Sequence, residues 1–505
     1  MTRNALFALV LLLGTEARAD AAAPLSAIDW LSDSVALPTA PPAPDTPGGE
    51  PMVTDDARPD DVTVAPIGPP VAAAIGRPPA MVGLDDTLWR GSRIDGVAAA
   101  LASVGPAHYP ATQSLLRDLL MAAAPAPMGD EGAQMTLARI DALLALGMLD
   151  PAVELIDDTD RETPLPFRRW FDISLLTGHE NRACSRMRAL PQISPTYTAR
   201  IFCLVRTGDW PAAIVTLDAA RVLDLLSPED VTRLSRFVDD MGEGEPLDPP
   251  ERPTPLDYMI FEAVGEPLGT GGLPLAFAHA DLRSNTGWRA RIDAAERLAR
   301  AGAIDHAKLW AVYEEREPAA SGGVWDRLEA IDAFEAALSG ETPGAVSDAL
   351  PKVWNEMQGA GLGAVFAARY GAELAQRDLD GEAREIAFRA ALLAGVAPDE
   401  LSPEGGEADF LASVARGRPD AAEAAAPEAR LVSRAFAGDP PDRARALIDA
   451  DRTGEALLLA ADLLDQGAAG SLDALADGIS ILVAAGSRER AARAALDYLL
   501  LEPAT

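Results

Sequence analysis

Apolar residues recur at helical spacing from about Leu84 to the C-terminus, in runs such as Ile94–Leu101, Gln113–Ala122, Met135–Leu146 and Ala152–Ile156. Each run is closed by a glycine, a proline or an acidic residue, as helix ends require. Three runs stop at Gly147, Gly178 and Gly208, and each restarts five residues later at Ala152, Ala183 or Ala213. The glycine permits the left-handed conformation that terminates a helix, and a small residue one turn later lets two helix axes approach closely. Gly302 with Ala307 and Ala311, and Gly486 with Ala491 and Ala495, repeat the arrangement. A period near 30 residues with one apolar helix on each side of a turn predicts stacked antiparallel helical hairpins. The expected fold is therefore all-α, an α-solenoid in two blocks covering 84–240 and 256–505. The run from Met241 to Pro255, with Pro249, Pro250 and Pro253, reads as the linker between them.

These glycine–alanine turns resemble the turn inside a tetratricopeptide-type repeat, where a glycine and an alanine hold the same relative places. The resemblance implies a helical-repeat array, and the stretch Gly269–Leu282 is similar to secreted bacterial helical-repeat proteins. It brings no activity with it.

The chain ahead of Leu84 is a different material. Arg3 followed by the apolar stretch Ala5–Gly14 and by Ala17-Arg18-Ala19 has the layout of a secretory signal peptide over 1–19, cleaved near Ala19. Such a leader predicts a periplasmic or secreted bacterial protein. No later run holds 18 consecutive apolar residues, so no membrane span is expected. Residues 20–83 are rich in proline, notably Pro38–Pro44 and Pro66–Pro70, and poor in apolar side chains. They are expected to form a disordered tether, because too little apolar surface is available to offset the entropy of ordering. One island at 25–37 departs from this, with Ile28, Leu31 and Val35 at helical spacing and Trp30 beside them. A short amphipathic segment on a leash is the usual form of a peptide that folds into a groove, whether on its own chain or on another.

Composition sharpens the picture. The 505 residues carry a formal charge of −35, only 5% are aromatic and 48% are hydrophobic, with alanine abundant. That balance favours helix over strand. An acidic chain repels phosphate backbones and anionic lipid, which excludes nucleic acid and leaves basic proteins or cations as partners.

Cys184 and Cys203 flank the turn Pro191–Pro195 at nearly equal distances from its centre, so an antiparallel hairpin brings them to one height. In an exported protein a disulfide between them is expected. The four histidines, His108, His179, His279 and His306, are isolated and form no zinc motif. The glycines at 269–272 lack the lysine of a phosphate-binding loop, and no G-x-S-x-G elbow occurs. No catalytic residue, cofactor or metal site is expected.

The functional expectation is a non-enzymatic scaffold or adaptor that binds an envelope protein or peptide through its helical surface. Candidate anchors are Ile28, Trp30 and Leu31 in the tether, and Trp210 and Trp288 in the array; Trp310, Trp325 and Trp354 are further tryptophans of the second block. Two other classes stay open at this level. One is a glycan-active envelope enzyme of the superhelical lytic transglycosylase type, although the chain lacks the Glu-Ser dipeptide of that chemistry. The other is a cation- or small-molecule-binding module.

Overall fold

The structure, a computed structural model, describes residues 75–130, 133–239, 246–318, 321–340, 342–397 and 405–501. The leader, the segment at 25–37 with Ile28, Trp30 and Leu31, and most of the tether lie outside the described residues, as does the first third of the linker, 241–245. Among the described residues the regular elements are all helical, with isolated bridges only at Arg77–Ala122 and Arg93–Met128.

The chain is an α-solenoid in which consecutive helices pack as antiparallel neighbours. Helices at Gln134–Ala145, Leu149–Asp157, Pro164–Leu176, Glu180–Ala189, Tyr197–Arg206, Trp210–Val222 and Pro228–Val238 follow one another in this way. The turn glycines carry the expected left-handed backbone, with φ of 70° at Gly147, 76° at Gly178 and 80° at Gly208. Ala152, Ala183 and Ala213 are fully buried, as close helix approach requires. Gly147 is doubly constrained, since a side chain there would also meet Leu275. The unit at Gly302 differs. Asp305 caps the following helix, His306–Tyr313, by accepting from the Ala307 amide. That start sets the helix phase so that Leu309 and Trp310 are buried while Ala307 and Ala311 face outward.

The apolar cores divide differently from the two blocks expected. One core joins residues between Leu88 and Ala280 to those between Leu392 and Leu500, and a second fills the stretch from Leu275 to Ala390. Helix Pro255–Ala263 packs on Pro164–Leu176, so the residues just after the linker belong to the first core. Of the last helices, Thr453–Ala468 packs on both of the first two, Ile94–Ala102 and Pro110–Met121, and Arg488–Leu500 packs on Pro110–Met121.

The closure is built from specific contacts. Gly454 N–H donates to Leu88 O at 2.8 Å and Gly91 N–H to Asp451 O at 2.9 Å. Trp89 is buried against Gly454, where a side chain would collide with the indole. The tether also ends earlier than expected. Arg77 N–H donates to Met121 O, its carbonyl accepts from Ala123 N–H, and its guanidinium forks onto Glu154. Backbone pairing therefore fixes residues that their proline and glycine neighbours mark as loop.

Helix Pro110–Met121 begins without a side-chain cap of its own. Asp497, from the last helix, supplies one by accepting from Ala111 N–H at 2.6 Å. Burial pushes that carboxyl up to about 7, against the opposing pull of the Ala111 amide and Arg493. The Gln113 amide donates both to Ala107 O and to Arg300 O, and Gln358 donates to Leu500 O. The first helices, the middle stretch and the C-terminal helices meet at this point.

Candidate functional site

Two buried charged clusters are structural braces. Arg169 forks onto Asp141 at 2.5 and 2.6 Å. Arg327 and the Tyr313 hydroxyl both donate to Glu296, and burial beside that carboxylate raises the Tyr313 phenol well above its ordinary value. His279 donates to Gly147 O at 2.8 Å in a buried setting that lowers its pKa to about 4, which keeps the ring neutral. None of these groups lines a cavity described below, so none is placed to meet a substrate.

The cavities are open grooves. One of about 810 Å³ lies between the first helix and the C-terminal helices, lined by Val104, Leu447, Leu458, Arg452 and Asp465 among others. Within it Arg452 pairs with Glu455 and Asp465 with His108. A second, of about 860 Å³, runs beside Trp170 and is rimmed by the Arg161–Asp157 and Arg186–Glu162 pairs. Among the described residues no group of three or more His, Cys, Asp or Glu side chains is placed to hold a metal ion. No described helix is long and apolar enough to cross a membrane.

The unusual feature is on the outside. Among the described residues, large hydrophobic side chains are exposed at nine positions, and six of these lie between 210 and 225: Trp210, Ile214, Val215, Val222, Leu223 and Leu225. Val222 is 79% exposed, Val215 67% and Leu223 66%. Isolated exposed apolar residues are ordinary, whereas a contiguous group marks an interaction surface.

Local sequence explains the geometry. Asp209 caps helix Trp210–Val222 by accepting from Ala212 N–H, and Pro211 fits the first turn. Ala213, Leu217 and Ala220, spaced by three and four, form the stripe buried in the array. Val215 and Val222, seven apart, share the opposite side, Ile214 lies about a quarter-turn from them, and Trp210, 37% exposed, sits at the edge of the buried stripe. Asp224, in the left-handed conformation at φ 54°, ends the helix and leads into Leu225. The outward face carries the Asp218–Arg221 pair, half exposed on both sides.

The neighbouring helix supports this face rigidly. Cys203 on Tyr197–Arg206 is disulfide-bonded to Cys184 on Glu180–Ala189, with Cα atoms 4.9 Å apart. Phe202 stacks on Phe237 of helix Pro228–Val238, 5.4 Å between ring centres.

The candidate anchors therefore separate. Trp210 belongs to the exposed face. Trp288 is committed within the middle stretch, where its indole N–H donates to Val312 O at 2.8 Å and its ring packs on Trp325. Trp310 and Trp354 are buried. Ile214, Val215, Val222, Leu223 and Leu225 were not among the anchors expected from sequence. Their signal was present, because apolar residues at 213, 214, 215, 217 and 222 encircle the helix and exceed what one buried stripe needs.

The architecture defines the class, an all-helical solenoid with one apolar outer face. Searches of protein-family profiles, of curated proteins and of solved structures found no match to this chain.

Proposed function

We propose that the protein is a non-enzymatic adaptor of the bacterial cell envelope that holds a partner protein on the face formed by Trp210, Ile214, Val215, Val222, Leu223 and Leu225. The observation that carries this reading is the concentration of exposed apolar side chains on helix Trp210–Val222 and the turn that follows it, next to a helix pinned by the Cys184–Cys203 disulfide. Burying such side chains contributes roughly 25 cal/mol per Å² of apolar surface. The partner fitting this face is an amphipathic helix with basic flanks, since the chain carries a net charge of −35. The periplasmic setting is supported by the leader-like N-terminus and by the disulfide, which needs an oxidising compartment. The array resembles tetratricopeptide-type repeats, and adaptor work is the use such surfaces fit best.

The test is photocrosslinking in intact cells of the full chain carrying a photoreactive residue at Val222, with exposed Glu329 as the control position. A discrete envelope protein captured from Val222, absent from Glu329 and lost when Val215→Asp is added, is the expected result. Equal capture from both positions, or none from Val222, refutes the reading.

A further inference from the structure

We infer that the face at 210–225 has an occupant within the same chain, the N-terminal segment Leu25–Val35. This rests on the reading of that face as a docking surface and names what covers it when no partner is bound.

The two elements match in size and chemistry. At about 1.5 Å per residue the 11-residue segment makes a helix of roughly 16 Å, against about 20 Å for the 13 residues of Trp210–Val222. Its apolar positions Leu25, Ile28, Leu31 and Val35 fall on one stripe, and the spacing sets Asp29 and Asp33 off it. On the array, the face offers Ile214, Val215 and Val222 with nothing described packed over them.

Reach decides between this segment and a random encounter. The described chain begins at Ile75, whose carbonyl accepts from Arg139, and Gly76 lies beside Leu155 near the C-terminal end of helix Leu149–Asp157. That end is two hairpins before the C-terminal end of Trp210–Val222, about 20 Å away at the usual helix spacing of 8–10 Å. A flexible coil of the length of the intervening residues 36–74 would span roughly 35 Å root-mean-square. The span lies inside that reach, so the segment faces its site at an effective concentration on the order of millimolar. A partner helix must then displace it. The adaptor is self-capped, and a weak or poorly matched partner is excluded.

The experiment places p-benzoylphenylalanine at Trp30 in the full chain, irradiates the purified protein, and maps the products by mass spectrometry. The expected result is an intramolecular crosslink to residues 210–225 whose yield is constant over a 100-fold range of protein concentration. It should disappear with Val215→Asp/Val222→Asp. In parallel, Ile28→Asp/Leu31→Asp should raise amide hydrogen exchange in helix 210–222 at least ten-fold without changing exchange in helix 110–121. Crosslinks elsewhere on the chain, crosslinks only between chains, or unchanged exchange overturn the inference. A photoprobe at Ile214 separates the two readings. If it captures a partner in cells but the Trp30 probe never reaches 210–225, only self-capping falls. If neither labels the face, the docking reading falls with it.

Discussion

Helix Pro110–Met121 and helix Trp210–Val222 have similar lengths, each begins with proline in its first turn, and each carries apolar residues on more than one side. The first is surrounded. Leu115, Leu116, Leu119 and Leu120 are buried between the next helices in sequence and helices that arrive from the far end of the chain. The second is covered only by its neighbours in chain order, so Val215 and Val222 stay outside. A local apolar pattern thus specifies how much surface a helix must cover. Which helix covers it is fixed by contacts hundreds of residues away, and where no described helix arrives, the surplus stays exposed.

That contrast can be broken most severely at the closure. Trp89→Ala removes the indole clasped by Gly454, and the large cavity should cost about 3–5 kcal/mol. A lowered urea midpoint checks this, and an unchanged midpoint means the returning helices are held by something else.

Titration sharpens the same junction. The Asp497 carboxyl has a folded pKa near 7 against about 3.9 unfolded. The folded state therefore binds more protons between those values, and its contribution is complete below about pH 4 and lost as pH rises through 7. At about 1.4 kcal/mol per unit the loss amounts to at most about 4 kcal/mol. Asp497→Asn keeps an acceptor for Ala111 and should flatten the stability profile between pH 4 and 7. His279 acts with the opposite sign. Its folded value near 4 lies below the unfolded 6.5, so its contribution is present above pH 6.5 and lost as pH falls towards 4.

Replacing Cys184 and Cys203 by serine loosens the support under the exposed face. Chain entropy for a loop of this length predicts a loss of about 3 kcal/mol, read from thermal or urea unfolding. The smallest effect is expected at the face itself. With the tether segment first undocked by Ile28→Asp/Leu31→Asp, adding Val215→Asp/Val222→Asp should change stability by no more than about 0.5 kcal/mol, whereas a single Leu120→Asp in the surrounded helix should prevent folding. A large loss from the outer pair would mean that the face is already covered within the fold.

How much of this was legible in sequence follows the same divide. The turns at Gly147, Gly178 and Gly208 were readable because each is fixed by residues within one turn of each other. The cysteine pair was readable for a related reason, since a short hairpin equalises heights on either side of its turn. The closure was not. Leu88 with Gly454, Ala111 with Asp497 and Gln113 with Arg300 are separated by between 187 and 386 residues, and no periodicity records such pairings. The exposed face was half legible, with Trp210 named and Ile214, Val215 and Val222 not singled out. Only the absence of a covering helix distinguishes them.

The Ala111–Asp497 cap has a kinetic corollary. Its partners stand 386 residues apart, so the core shared by the first and last helices stays incomplete until nearly the whole polypeptide has left the ribosome. Long loops must close before that core rewards them, which slows acquisition of the native state. A nascent chain that delays collapse in this way stays extended and open to other binding proteins until those last contacts form.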